Sequence, residues 1–117
     1  MHELAMAQGV VRTVVAALPE PAPRVARVRL RVGALAGITP DGLRLTFEVA
    51  AAGSPLDGSE LQVEVEPLAI DCPACGLQPL ADAPSLACPT CGATGSLVGD
   101  AEVHVVGVTL LTEEVAG

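Results

Sequence analysis

The first stretch of the chain repeats its apolar residues at helical steps. Leu4, Ala7, Val11, Val14, Val15 and Leu18 recur three and four positions apart, which predicts a helix over Leu4–Leu18 with one apolar face. Gly9 interrupts this pattern slightly, and Pro19, Pro21 and Pro23 end it. From Arg24 to Gly33 the period drops to two. Val28, Leu30 and Val32 fall on one side and Arg27, Arg29 and Arg31 on the other, as in a strand with one face buried. Thr39-Pro40-Asp41 has the form of a helix start, with a capping hydroxyl, a proline in the first turn and a carboxylate near the positive end of the helix dipole. Leu43, Phe47 and Ala50 supply the second helix's apolar stripe, and Gly53 with Pro55 closes it.

A second alternating strand runs Glu60–Glu66, with Leu61, Val63 and Val65 inward and Glu60, Gln62, Glu64 and Glu66 outward. If the two strands are neighbours, Arg27, Arg29 and Arg31 lie across from Glu60, Glu64 and Glu66, in pairs worth about 0.2–1 kcal/mol each. A valine-rich third strand is expected over Glu102–Leu111. Between the second and third strands, Asp71–Asp100 changes character. It is rich in Gly, Pro and Ala and contains every cysteine. The expected fold class is α+β, with two helices packed on a three-stranded sheet and an inserted four-cysteine zinc ribbon. The main domain is then discontinuous, 1–69 with 101–117, and the insert occupies 70–100.

Composition narrows the functions available. The 117 residues carry 14 acidic and 6 basic side chains, a formal charge of −8, and half of them are apolar, which argues against disorder. All six basic residues are arginines between Arg12 and Arg44, and eleven carboxylates follow Leu45. A nucleic-acid surface needs positive charge to displace counterions and aromatic rings to stack on bases. The acidic C-terminal part, with Phe47 as the chain's only aromatic residue, offers neither. No apolar run is long enough to span a membrane. Met1-His2-Glu3-Leu4 lacks the basic and apolar regions of a secretory leader, so a cytoplasmic location is expected.

In that compartment four cysteines point to metal more than to disulfides. Cys72-Pro73-Ala74-Cys75-Gly76 repeats as Cys88-Pro89-Thr90-Cys91-Gly92, with twelve residues between Cys75 and Cys88. Two residues between cysteines let both sulfurs of a turn face one centre. The following glycine permits a positive φ, which swings backbone amides toward the thiolates. Four such sulfurs make a closed tetrahedral shell, the form of a structural zinc site, and the metal would add folding energy to a segment with few apolar residues. A pair of disulfides, a thioredoxin-like redox motif and a rubredoxin-type iron centre are the alternatives. The redox motif would open a helix, whereas Pro-x-Cys-Gly suits a turn, and the iron centre would be wrapped in aromatics that this segment lacks.

The chain's start offers a second kind of site. His2 is too large for initiator methionine to be removed, so the free α-amine is expected on Met1. That amine, the next amides and the His2 imidazole form a nitrogen-rich donor set, which selects Ni(II) or Cu(II) in tetragonal surroundings. With a pKa of about 7.7–8.0 the amine deprotonates at modest cost near neutral pH. Glu3 adds a carboxylate or another amide nitrogen. A terminal histidine alone is commonplace.

Together with the rest of the chain it is not. Met1-His2-Glu3-Leu4 opening a helix, Arg29-Leu30-Arg31-Val32-Gly33-Ala34-Leu35-Ala36-Gly37-Ile38, then Pro40-Asp41-Gly42-Leu43 with Phe47-Glu48, and finally the paired knuckles resemble the HypA/HybF family of nickel chaperones for [NiFe]-hydrogenase maturation. The resemblance covers nearly the whole chain. It implies nickel binding by the Met1 amine, the His2 side chain and backbone nitrogen around His2 and Glu3. It also implies a structural Zn(2+) on Cys72, Cys75, Cys88 and Cys91. Some members place an acidic residue near the nickel from the second helix, and Asp41 holds that place here, where a helix-start carboxylate explains it equally well. His104 matches no family metal motif and reads as a surface residue.

The resemblance further implies a metallochaperone and no enzyme, with Ni(2+) as transient cargo. Its partners would be a HypB-type GTPase and the hydrogenase large subunit, with no nucleic acid and no membrane. No nucleophile–base pair, phosphate loop or carboxylate pair framed by a pocket argues for catalysis. The rival readings are a zinc-ribbon protein-interaction adaptor with an inert N-terminus, and a rubredoxin-like electron carrier.

Overall fold

The computed structural model describes residues 2–80 and 85–111, with His2 described in its backbone alone. The elements in order are α1 (His2–Ala17), β1 (Val25–Gly33), a single 3-10 turn at Ala34–Ala36, α2 (Pro40–Ala51), β2 (Glu60–Glu66), β3 (Ala69–Cys72), β4 (Gly76–Pro79), β5 (Ser96–Val98) and β6 (Val103–Leu110). They make two three-stranded sheets, ordered β2-β1-β6 and β4-β3-β5. The chain divides into two compact units. The first draws on the chain up to Arg31, on Ile38–Glu64 and on the chain from Val103, and the second on Val32–Gly37 and Val65–Glu102.

In the first unit α1 packs along α2, and its buried seam is Ala7, Val10, Val11 and Val14. The seam is narrower than the sequence suggested. Leu4 and Val15 flank it and remain exposed, whereas Val10 is buried. From α2 come Leu43, Phe47 and Ala51, a strict four-residue spacing in which Ala51 takes the place expected of Ala50. Thr39 caps this helix as anticipated, its Oγ1 accepting from the Gly42 amide at 3.1 Å.

Val28 and Leu30 of β1 are fully buried, with Arg29 between them on the other face. β1 and β2 begin at the same end, where the Ser59 hydroxyl donates to the Val25 carbonyl and Arg27 Nε lies 3.2 Å from Glu60 Oε2. With α2 as the crossover, this is a βαβ unit. Of the anticipated cross-strand pairs, Arg27–Glu60 forms, while the Arg29 guanidinium lies over Gly107 of β6 on the other side of β1. Leu61 is buried, but Val65 is 40% exposed and does not face a core. Among the described residues β2 is an outer strand of its sheet. No described helix is long and apolar enough to cross a membrane.

The second unit contains a sheet that the hydrophobic pattern did not announce. β3 pairs antiparallel with β4, from Ala69 opposite Pro79 to Cys72 opposite Gly76, and on its other side with β5. Its small core is Ile70, Cys72 and Cys88, with Cys75 and Leu80 packed against it.

Candidate metal centre

The β3–β4 hairpin carries the first knuckle, with Pro73, Ala74 and Cys75 making the turn between Cys72 and Gly76. The second knuckle is a free-standing turn closed by backbone bonds. The Cys88 amide donates to the Ala93 carbonyl and the Gly92 amide to the Cys88 carbonyl, both at 2.8 Å. Ala87 bridges to Thr94 just outside them. Gly76 and Gly92 each take φ +78°, the left-handed conformation that the two Cys-Pro-x-Cys-Gly repeats called for.

These two turns bring all four sulfurs within 4.8 Å of one another. Cys72 and Cys88 are buried, Cys75 is half-buried and Cys91 is exposed. Cys72 Sγ and Cys91 Sγ approach to 3.5 Å across the two knuckles, and the Thr90 amide points at Cys88 Sγ from 3.4 Å. The Cys91 amide, and then that of Thr90, favours the thiolate of Cys88 and holds its pKa down at about 6 against burial. Cys75 is pushed up to about 12, first by hydrogen bonding with Cys91 and then by burial. Crowded sulfurs with opposed proton affinities suit a divalent cation, which replaces the shared protons and makes all four thiolates. Four sulfur donors with no carboxylate or imidazole among them fit a soft or borderline metal in a closed tetrahedral shell.

A side-chain link joins the knuckles, and the cysteine spacing gave no sign of it. Gln78 of β4 donates from Nε2 to the Cys75 carbonyl at 3.1 Å, and its Oε1 accepts from the Thr90 hydroxyl at 2.9 Å. One side-chain amide thus joins a backbone carbonyl of the first knuckle to a side-chain hydroxyl of the second.

The amino-terminal candidates are described only in part. Met1 and the His2 side chain lie outside the described residues. Glu3 does not. Its carbonyl lies 3.3 Å from the Thr46 hydroxyl, and its carboxylate rests against Gly42, the residue after Asp41. Glu3 therefore comes to the helical turn that carries Asp41. The Asp41 carboxylate is 97% exposed and pairs with Arg44 Nη1 at 2.9 Å. Gly42 and Thr46 were missed from sequence, although a glycine inside a helix is a signal for close packing. His104 is exposed on β6 and stands outside the cysteine cluster.

Residues 1–110 match the family model described as "HypA: Hydrogenase/urease nickel incorporation, metallochaperone, hypA". A hydrogenase maturation factor HypA of Chloroflexus aurantiacus is 46% identical over 57 residues, covering 48% of this chain and 50% of that protein. The HypA of Methanopyrus kandleri is 46% identical over 57 residues, 48% of this chain and 40% of its own. The chain thus spans about half the length of the curated relatives it matches, or less. Among solved structures, the solution structure of the Ni metallochaperone HypA from Helicobacter pylori covers 91% of this chain and 97% of its own, with a TM-score of 0.52 at 17% identity. A second solution structure of a HypA protein gives a TM-score of 0.56 at 18% identity, over 89% of this chain and 94% of that one. At those identities the structures establish the fold. The family model covers nearly the whole chain, and the chain belongs to the HypA family of metallochaperones, a family of metal carriers and not of enzymes.

Proposed function

We propose that the protein binds Ni(II) at its amino terminus and delivers it for maturation of [NiFe]-hydrogenase, with a structural zinc in the four-cysteine ribbon. The observation that carries this reading is the sequence Met1-His2-Glu3, which leads into α1, in a chain whose residues 1–110 match a nickel-incorporation family. The ligands are the Met1 amine, the His2 imidazole and backbone nitrogen of His2 and Glu3, with Asp41 as a nearby carboxylate. In this reading the nickel domain is 1–69 with 101–117, and the zinc domain is 70–100.

The two donor sets suit different tasks. Nitrogen donors favour Ni(II), and a site at a chain end lets an acceptor replace its ligands one at a time. The Met1 amine and each coordinating amide give up a proton as nickel binds, so binding weakens as the pH falls. Cys72, Cys75, Cys88 and Cys91 would hold zinc as a closed shell with no open position, where it supplies folding energy and no reactivity. The partners would be a HypB-type GTPase and the hydrogenase large subunit, in the cytoplasm. Elemental analysis of tag-free protein with Met1 as its verified first residue tests the reading. It should show one zinc per chain and no stoichiometric iron, and gain one nickel on loading. Iron in place of zinc, or a gain of nickel unchanged in His2→Ala, would overturn it.

A further inference from the structure

Glu3 is tied to the first turns of α2 by its backbone and its side chain. The Thr46 hydroxyl shares its single hydrogen among the carbonyls of Gly42 and Leu43, both at 3.1 Å, and of Glu3 at 3.3 Å. Thr46 therefore ties the start of α1 to α2. The Glu3 side chain reaches the same place. A methyl group on Gly42 would collide with Glu3 Oε2 and lie 3.0 Å from its Cδ. Gly42 is the third residue of a helix that an alanine would suit better, since glycine inside a helix carries an entropic cost. Its amide is already bound to Thr39, so capping does not require the missing side chain. What the glycine provides is room for a carboxylate beside the positive end of α2.

We propose that Gly42 and Thr46 position the nickel triplet, and that Glu3 serves it as an anchor lodged on α2, contributing through its backbone and not through its carboxylate. The inference rests on the nickel reading above. With the Glu3 carbonyl bonded by Thr46 and its carboxylate packed in the space that Gly42 leaves, the Glu3 backbone is held against α2 before nickel arrives. Preorganisation of this kind is what supporting residues supply to metal ligands.

Calorimetric titration of nickel into zinc-loaded protein that starts at Met1 tests this. Gly42→Ala should weaken nickel binding about tenfold while zinc content holds. Glu3→Ala should weaken it comparably. The double variant should bind no worse than Glu3→Ala, because the methyl then has no carboxylate to displace. Thr46→Val should weaken binding and Thr46→Ser restore it, which keeps the test alive should Gly42→Ala disturb the helix start. Thr39 Oγ1 lies 2.8 Å from the new methyl and must also yield. Thr39→Ala is the control, lowering the melting temperature through the lost cap while nickel affinity stays put. Native affinity in Gly42→Ala would overturn the proposal. So would losses that multiply in the double variant, because the methyl would then act other than through the Glu3 carboxylate. If native protein and His2→Ala bind nickel equally, the reading beneath the proposal falls, and the proposal with it.

Discussion

The glycines that end the two knuckles allow a clean test of how backbone shape sets metal affinity. Gly76 and Gly92 both hold φ +78°, and a Cβ built on either meets no heavy atom within 4 Å. Substituting alanine therefore adds no collision with the rest of the protein. The whole penalty is local, the crowding of Cβ against its own backbone in the left-handed region, about 1–2 kcal/mol. Escape to negative φ is no cheaper at Gly92, because it would break the 2.8 Å bonds that close the turn between Cys88 and residues 92 and 93. Metal binding and folding of such a segment are coupled, so the penalty appears in zinc affinity as a loss of roughly five- to thirtyfold. Asparagine tolerates the left-handed region better than alanine, so Gly92→Asn should lose less than Gly92→Ala. Competition against a chromophoric zinc chelator at fixed pH measures the series. Alanine variants within a factor of two of native, or asparagine as damaging as alanine, would refute the reasoning.

Other consequences can be read directly from the contacts. Phe47→Ala removes the largest fully buried side chain and should cost about 3–5 kcal/mol in thermal unfolding, with zinc content unchanged. Thr90→Val and Gln78→Ala each break the link between knuckles. Each should raise the rate of zinc loss to a chelator by about tenfold, and the double variant should be no faster than either. The Glu60 carboxyl is held below the ordinary range, first by the Gln62 amide and then by Arg27. Its ionised form is thus favoured by folding, and the contribution is present above the ordinary carboxylate range and lost as pH falls through the lowered pKa. Both partners are exposed, so Glu60→Gln should differ slightly from native in neutral melts and match it in acid.

Much of the fold was legible because its signals are local and periodic. The alternation from Val28 to Val32, the Thr39-Pro40-Asp41 start and the Glu60–Glu66 strand each state their structure within a few residues. The four cysteines were equally plain, since two repeats at fixed spacing leave little choice of geometry. Three-residue β5 and four-residue β3 and β4 were not legible, because a strand that short has no period to detect and is held by turn closure around the cysteines. Val65 alternates correctly yet stays exposed, since alternation says which face a residue takes and not whether that face is covered. Gln78, Thr90, Gly42 and Thr46 act across turns and between helices, where sequence separation hides the pairing.

The central claim is that nickel is held at the very start of the chain. Calorimetric titration of nickel into protein beginning at Met1, into the same protein extended by one residue, and into His2→Ala tests it most directly. The extension replaces the terminal amine with a neutral amide and should weaken binding sharply, as should loss of the imidazole, with zinc content and melting temperature unchanged in both. Equal nickel affinity in all three proteins would contradict the account and favour a zinc-ribbon adaptor whose amino terminus carries no metal.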